Sequence, residues 1–367
     1  MEATDAEQLQ ILEMIAVSDS IIDVSHGFFD EHVKPILAAH FPEEFAAMAF
    51  GVWGLGSEAL KMDDEYSRDH HWGLRIDAIM PLDLLQARWP AIQEAMETRL
   101  PHSYQGHALG ERAVVGAGIT PDSLRGLLSR TIGIDHPPQT FEEWLAIPEE
   151  DITHVINGEV WHDPSGRFSA VRDTLKGYYP EPVRLRRLAH WCRYYSGMGT
   201  YALKRANLRH NQYFASVAFG RAIRLGLQMA FMLDKQYYPY DKWTMAYFRH
   251  LPRMYGRLGS IVDEAVDIAT GWERKLELLD ALSDVLDQTM VEDGIIPPHP
   301  TFVGSPTSGY RLMEFAYWEI IRKLPADLLA IIPQWEQVYL EKSVVAYVAT
   351  LDGPSWTAAL NLTPVDE

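Results

Sequence analysis

The sequence predicts an α+β domain over residues 1–175, followed by a mostly α-helical domain over 176–367. Two observations predict it. Short apolar runs bounded by Gly, Pro and Asn concentrate before about residue 170, whereas "PEPVRLRRLAHWCRYY" opens a region in which apolar residues recur at helical spacing. The length of 367 residues, 47% of them hydrophobic, suffices for two domains with cores of their own.

Along the first region, Leu9, Leu12, Ile15, Ile21, Ile22, Phe28, Phe29, Val33 and Leu37 keep mostly helical spacing, which predicts helices broken near Ser18 and Ser25. "FAAMAFGVWGLGS" then reads as a buried strand over Ala47 to Trp53 that ends in glycines. A second strand is expected in "HHWGLRIDAIM" and a third in "RAVVGAGI". A hairpin is expected in "ITHVINGEVWHDPSGRFSAV", where Asn157-Gly158 and Asp163 to Gly166 are turn signals. In the second region, long helical patterns run from Leu188 to Leu233 and from Trp272 to Met290 between proline-rich breaks.

Composition narrows the function classes. A net charge of −19 opposes long nucleic-acid tracts as partners, because a phosphate backbone is attracted by dense Lys/Arg surface. The single cysteine, Cys192, supplies no disulfide framework, and no Cys/His cluster has zinc-site spacing. "MEATDAEQLQILEM" is acidic where a secretory signal is basic, and no stretch approaches the ~18 apolar residues of a membrane helix. A cytoplasmic protein without membrane partners is the expectation.

The chemistry concentrates in "GLGSEALKMDDEYSRDHHWG", residues 54–73. A strand ending at Gly54 to Gly56, then Ser57 and a short helix, suits a bound phosphate through backbone N–H groups and a hydroxyl. Twelve residues after Ser57, Asp69 and His71 stand two apart. In an extended segment they share a face with Cα atoms ~6.6 Å apart, within reach of one metal or a metal pair. His70 and Trp72 then face the other way, against covering helices. Asp63, Asp64 and Glu65 read as a solvated charge run.

A Gly-Ser turn after one strand followed by Asp-x-Asp on the next is the hallmark of the polymerase-β-like nucleotidyltransferase superfamily, which this chain resembles. More closely, "GSEALKMDDEYSRDHHWGLR" resembles an uncharacterised nucleotidyltransferase-like family with Gly-Ser-Glu, Ser-x-Asp-His-(Asp/His) and Trp-Gly motifs. "WLAIPEED", "GEVWHDPSGRFSAVR" and "YYPYDKW" resemble it too, so the likeness runs from about residue 34 to 255. It implies a mixed sheet with flanking helices, a nucleoside triphosphate as substrate, with ATP the first choice, and a divalent metal, Mg²⁺ or Mn²⁺. Gly56 and Ser57 would hold the phosphates, and Asp69 with His71 the metal as the catalytic pair.

His71 stands where the superfamily carries its second carboxylate. Mg²⁺ prefers oxygen ligands, whereas imidazole suits Mn, Fe, Ni or Zn. The third carboxylate of the superfamily is unassigned, with Asp122, Glu142, Glu143, Glu159 and Asp163 as unranked choices. Asp77 is too far along the chain to share a metal with Asp69 and reads as solvated or structural.

Arg75 has two readings, a long side chain approaching a ligand phosphate or an ion pair with an acid of 63–65. In "LKRANLRHNQYF", Arg205 and Arg209 are spaced i,i+4, and Arg209 is the nucleotide-binding choice, against an ordinary basic surface. Lys242 of "YYPYDKW" either reaches a phosphate or snorkels from an aromatic cluster. His154, His162 and His190 lack ligand spacing.

No Gly-x-Ser-x-Gly elbow, HExxH helix or Walker P-loop occurs. The expected function is nucleotidyl transfer from a nucleoside triphosphate to a small-molecule acceptor. The alternatives are a catalytically weak nucleotide-binding protein that keeps the fold, and a metal-dependent phosphohydrolase.

Overall fold

The computed structural model describes residues 20–67, 72–108, 118–299 and 313–331. The chain divides into two compact units, one formed by Met1–Pro137 with Asp151–Gly177 and the other by Pro138–Glu150 with Tyr178–Glu367.

The first unit is α+β. Helix α1 (Ile21–Phe28) passes through a π-helical turn, Phe29–Val33, into α2 (Lys34–His40). The break expected near Ser25 is absent, because its hydroxyl donates to the Ile21 carbonyl at 2.7 Å and so stays within the helix. A short helix, α3 (Pro42–Ala46), starts on a proline, which suits a first helical position.

Strands β1 (Ala49–Val52) and β2 (Ile76–Met80) follow, then α4 (Leu82–Arg99) and a two-stranded ribbon of β3 (Ser103–Tyr104) and β4 (His107–Ala108). Next come β5 (Ile119–Ser123) and α5 (Leu124–Ile132), whose N-terminus is capped by the Ser123 hydroxyl accepting from the Gly126 amide. Helix α6 (Glu149–Ile156), which belongs to this unit from Asp151 onward, β6 (Glu159–His162) and α7 (Arg167–Lys176) complete it.

The four-stranded mixed sheet has the order β5-β2-β1-β6, with β1 antiparallel to β2 and β6, and β2 parallel to β5. β1 and β2 are buried on both faces, and the one charged side chain in them, Asp77, is paired with Arg75. One core is built from Phe28, Phe29 and Leu37 of the leading helices, Phe50, Ile76 and Met80 of the sheet, and Ile92 and Met96 of α4. Trp53, just past β1, packs edge-on against Phe168 of α7 at 4.6 Å.

Three expectations need correction. The second strand begins at Ile76, and Trp72 to Arg75 lie outside it, with Gly73 at φ +145°. The third begins only at Ile119; residues 112–117 of "RAVVGAGI" lie outside the described residues.

The expected hairpin is instead a helix, a strand and a helix. Ile152 and Val155 bury one face of α6, and Gly158 turns the chain into β6 at φ +73°. A Cβ there would sit 1.9 Å from the Val52 carbonyl oxygen, so only glycine allows β6 to reach β1. Asp163 accepts from the Ser169 amide and hydroxyl at 2.8 and 2.9 Å and so opens α7 instead of a hairpin turn.

The second unit is helical in its described residues. Helix α8 (Glu181–Tyr194) runs through a π-helical segment, Tyr195–Tyr201, into α9 (Ala202–Leu208). The pattern expected to continue to Leu233 is interrupted by His210 at φ +54°, and Asn211 caps α10 (Gln212–Leu233) by accepting from the Phe214 amide. Helix α11 (Met254–Val266) precedes α12 (Trp272–Glu292). The Tyr195 hydroxyl donates to the Leu279 carbonyl at 3.1 Å, tying the π-helical segment to α12.

Candidate functional site

The Gly-Ser turn leaves the end of β1 through Trp53, Gly54 at φ +92°, Leu55 and Gly56 at φ +119°. The short helix expected after Ser57 is one 3-10 turn, Glu58–Leu60, with Ser57 at its N-cap. The Ser57 carbonyl accepts from the Leu60 and Met62 amides at 3.1 and 2.9 Å, closing the loop on itself.

Beneath Gly56 lies the buried carboxylate of Glu58, and a Cβ on Gly56 would sit 2.3 Å from it. Gly56 therefore presents bare backbone for two reasons, its φ and the carboxylate beside it. Bare backbone is also what a close-approaching phosphate requires.

Arg75 holds this turn from the entrance to β2. Its guanidinium donates to the Trp53 carbonyl, to the Leu55 carbonyl at 2.9 Å, to Glu58 at 3.0 Å and to Asp77 at 3.2 Å. Asp77 in turn accepts from the Trp53 amide at 3.0 Å. The ion pair expected with residues 63–65 is thus formed with Glu58 and Asp77 instead. Burial opposes the Arg75 charge, but Asp77 and Glu58 outweigh it and raise the guanidinium above its ordinary pKa. Asp77, which could have been solvated, is buried and structural.

Asp69 and His71, the expected catalytic pair and metal ligands, lie outside the described residues together with His70. Their flanks are fixed. Asp63 accepts from the Ser20 hydroxyl at 2.7 Å, the Ile21 amide at 3.0 Å and the Trp72 indole at 3.2 Å. It thereby binds the N-terminus of α1, where the exposed amides favour an anion. Asp64 accepts from the Ser67 hydroxyl at 2.7 Å. The acids 63 and 64 are therefore partly buried anchors, not the solvated run expected. Trp72 packs against the core and meets His107 edge-on at 5.1 Å.

The sheet sorts the five acids considered for a third carboxylate. Glu159 opens β6 opposite Val52, at the end of β1 that leads into the turn. Asp122 pairs with Ile79 toward the other end of the sheet, and Asp163 follows β6 at that other end. Glu142 and Glu143 belong to the second unit, where Glu143 forms a capping box with Thr140.

Glu159 pairs with Lys61 at 2.7 Å and accepts from the Trp161 indole at 3.0 Å. Burial opposes its charge, yet these two partners hold its carboxyl below the usual range. Lys61 bridges onward to Asp23 at 2.9 Å. Among the described residues no group of three or more His, Cys, Asp or Glu side chains is arranged to hold a metal.

Gly56, Ser57 and Arg75 belong to the first unit, Arg209 and Lys242 to the second. Arg209 is exposed at the C-cap of α9 and turns back toward the Arg205 carbonyl at 3.5 Å, where the helix end favours a cation. Arg205 lies over the Tyr201 ring at 5.9 Å. Lys242 is exposed, its ammonium 5.1 Å from the centre of the Trp243 ring.

The three scattered histidines are tied into the packing. His162 stacks on Phe45 at 3.9 Å and bonds its carbonyl, and His190 is buried against Trp191 and Tyr194. Burial lowers the pKa of His154.

Sequence reasoning singled out neither Glu58, Lys61 nor Arg172 as site residues. Glu58 carried the only usable signal, as the third residue of the Gly-Ser-Glu motif. Among the described residues no helix is long and apolar enough to cross a membrane.

A family model described as a domain of unknown function (DUF4037) matches residues 144–244. That stretch contains Glu159, Arg172, Arg209 and Lys242 but not the Gly-Ser turn. Among solved structures, the chain is similar to a nucleotidyltransferase-like protein from Exiguobacterium sibiricum 255-15. The identity is 12%, the match covers 93% of this chain and 92% of that one, and the TM-score is 0.37. No curated protein matches the chain.

Proposed function

We propose that this protein transfers a nucleotidyl group from a nucleoside triphosphate, with ATP the first choice, to a small-molecule acceptor. The observation that carries the reading is the turn after β1. Its Gly56 backbone is bare and clamped from behind by Arg75, and in the sequence the Asp69-His70-His71 run lies between this turn and β2, the antiparallel neighbour of β1.

In this reading Gly56 and Ser57 receive the triphosphate. Asp69 and His71 hold a divalent metal. When bound, the metal supplies Lewis acidity toward the phosphoryl oxygens. One carboxylate plus an imidazole is a donor set better suited to Mn²⁺ than to Mg²⁺. Arg75 acts as a positioning residue, because its donors already hold the turn. Arg209 and Lys242 are proposed contributors to phosphate binding. A bond forms between the acceptor oxygen and the α-phosphorus while the α-β bridging bond breaks. Pyrophosphate leaves, and the hydroxyl proton passes to solvent.

The second reading, a weak nucleotide binder, rests on His71 replacing a carboxylate. Metal analysis of the purified protein, then incubation with each nucleoside triphosphate and Mg²⁺ or Mn²⁺, separates the readings. Pyrophosphate release that disappears in a folded Asp69→Ala variant supports transfer. Binding without turnover supports the second reading, which His71→Asp then tests by gain of Mg²⁺-dependent release. Inorganic phosphate as product would point to a phosphohydrolase.

A further inference from the structure

A cavity of about 460 Å³ opens between β6 and α7 in the first unit, within the size range of small-molecule sites. Its walls include His26, Glu159, Trp161, Ser169, Arg172 and Lys176. Ser169, Arg172 and Lys176 recur at helical spacing and so share one side of α7, while Glu159 and Trp161 come from β6. β6 lies at the sheet edge, so the cavity borders the strand that pairs with β1 where β1 enters the Gly-Ser turn.

Arg172 is a buried cation there, its guanidinium carbon 5.6 Å from the centre of the Phe168 ring. It is 4% exposed, and its Nη2 donates to the Ile156 and Gly158 carbonyls at 2.7 and 2.9 Å. Its Nη1 is buried and has no hydrogen-bond partner. Burial pushes the guanidinium down to about 10, with Asp173 and Glu159 opposing that shift, so it is charged at neutral pH. Neither acid reaches it as an ion pair among the described residues. A buried cation without a counter-charge is costly, and planar guanidinium geometry matches an oxyanion in two-pronged fashion.

Lys176 is exposed on the same wall and adds a second positive charge. Glu159, which also lines the cavity, is paired with Lys61. Asp173, also in the wall, favours a ligand with one compact anionic group over a highly charged one. His26 and Trp161, stacked at 4.8 Å with planes 3° apart, offer a flat surface for the rest of the ligand.

We propose that this cavity is the acceptor site, and that the acceptor carries a phosphate or carboxylate group held by Arg172 and Lys176. The identification as acceptor rests on the nucleotidyl-transfer reading. The oxyanion site itself is tested without nucleotide or metal, so the two can fail separately.

The experiment is calorimetric titration of the whole protein with inorganic phosphate and, separately, acetate. Wild type is expected to bind at least one. Lys176→Glu, at an exposed position, is expected to weaken that binding about tenfold, equivalent to one added or lost charge-assisted contact. Arg172→Gln should abolish it; circular dichroism checks its fold, and Lys176→Glu decides the question if that variant unfolds. Phosphate binding alone assigns a phosphorylated acceptor, and acetate binding alone a carboxylated one. No binding of either, or equal binding by wild type and Lys176→Glu, overturns the site.

Discussion

The Gly-Ser turn is held by a half-buried arginine, Arg75, and the β6–α7 cavity of the same unit is lined by a buried one, Arg172, and the two are satisfied in opposite ways. Arg75 meets two carbonyls and two carboxylates, Glu58 and Asp77. Arg172 meets two carbonyls and the ring of Phe168 but no carboxylate, and one of its guanidinium nitrogens has no hydrogen-bond partner. A saturated cation fixes the backbone around it. An unsaturated one retains attraction for something the chain itself does not provide. In the proposed reading, the difference separates a scaffold arginine from a ligand-binding one.

The largest expected effect is on the saturated side. Arg75→Met leaves Glu58 and Asp77 buried without their counter-charge and should cost about 3–5 kcal/mol in denaturant unfolding. A loss below about 1 kcal/mol would mean that the turn does not depend on the ion pairs. Gly56→Val is expected to cost about 1–3 kcal/mol, from a branched side chain at φ +119° and its collision with Glu58. Nucleotide affinity should fall with it, measured by calorimetry.

On the unsaturated side, Arg172→Met removes two bonds to carbonyls but also removes an unmatched buried charge. The net cost should be about 1–2 kcal/mol, smaller than for Arg75→Met. Equal losses would erase the contrast between the two arginines. The smallest effect concerns Glu159, whose pair with Lys61 is partly exposed and contributes less than about 1 kcal/mol. Because its folded carboxyl lies below the ordinary 4.5, that contribution is present above 4.5 and is lost as pH falls through the folded value. The melting-temperature difference between wild type and Glu159→Gln should therefore shrink toward zero on acidification; a constant difference would assign it to packing.

The legible parts of this contrast were those encoded locally. The apolar run before Gly54 marks β1 to within a few residues, and the long periodic segment from Trp272 marks α12. The Gly-Ser turn is visible because glycine reports backbone geometry directly. The pairing of Arg75 with Glu58 was not visible, since Glu58 lies 17 positions back along the chain and is joined to it only after β1 and β2 pair.

Asn157-Gly158 misled for a related reason. The same dipeptide serves a hairpin or a helix-to-strand turn, and the decision came from the close approach of Gly158 to Val52. Asp63 looked solvated because two of its three partners, Ser20 and Ile21, are more than 40 residues away.

The division of the chain has a consequence for how the protein is made and how it can be cut. The polypeptide crosses between the units three times, after Pro137, after Glu150 and after Gly177. The edge strand β6 is therefore synthesised only after a stretch that belongs to the other unit. A nascent chain that has emerged only as far as Pro137 lacks both β6 and the helix that brings Arg172. A single proteolytic nick at any one crossing leaves the units joined covalently through the other two. Each then remains at high effective concentration with respect to the other. Separating them by truncation at one position is not possible, and a fragment ending at Pro137 should expose the unpaired edge of β1 and aggregate.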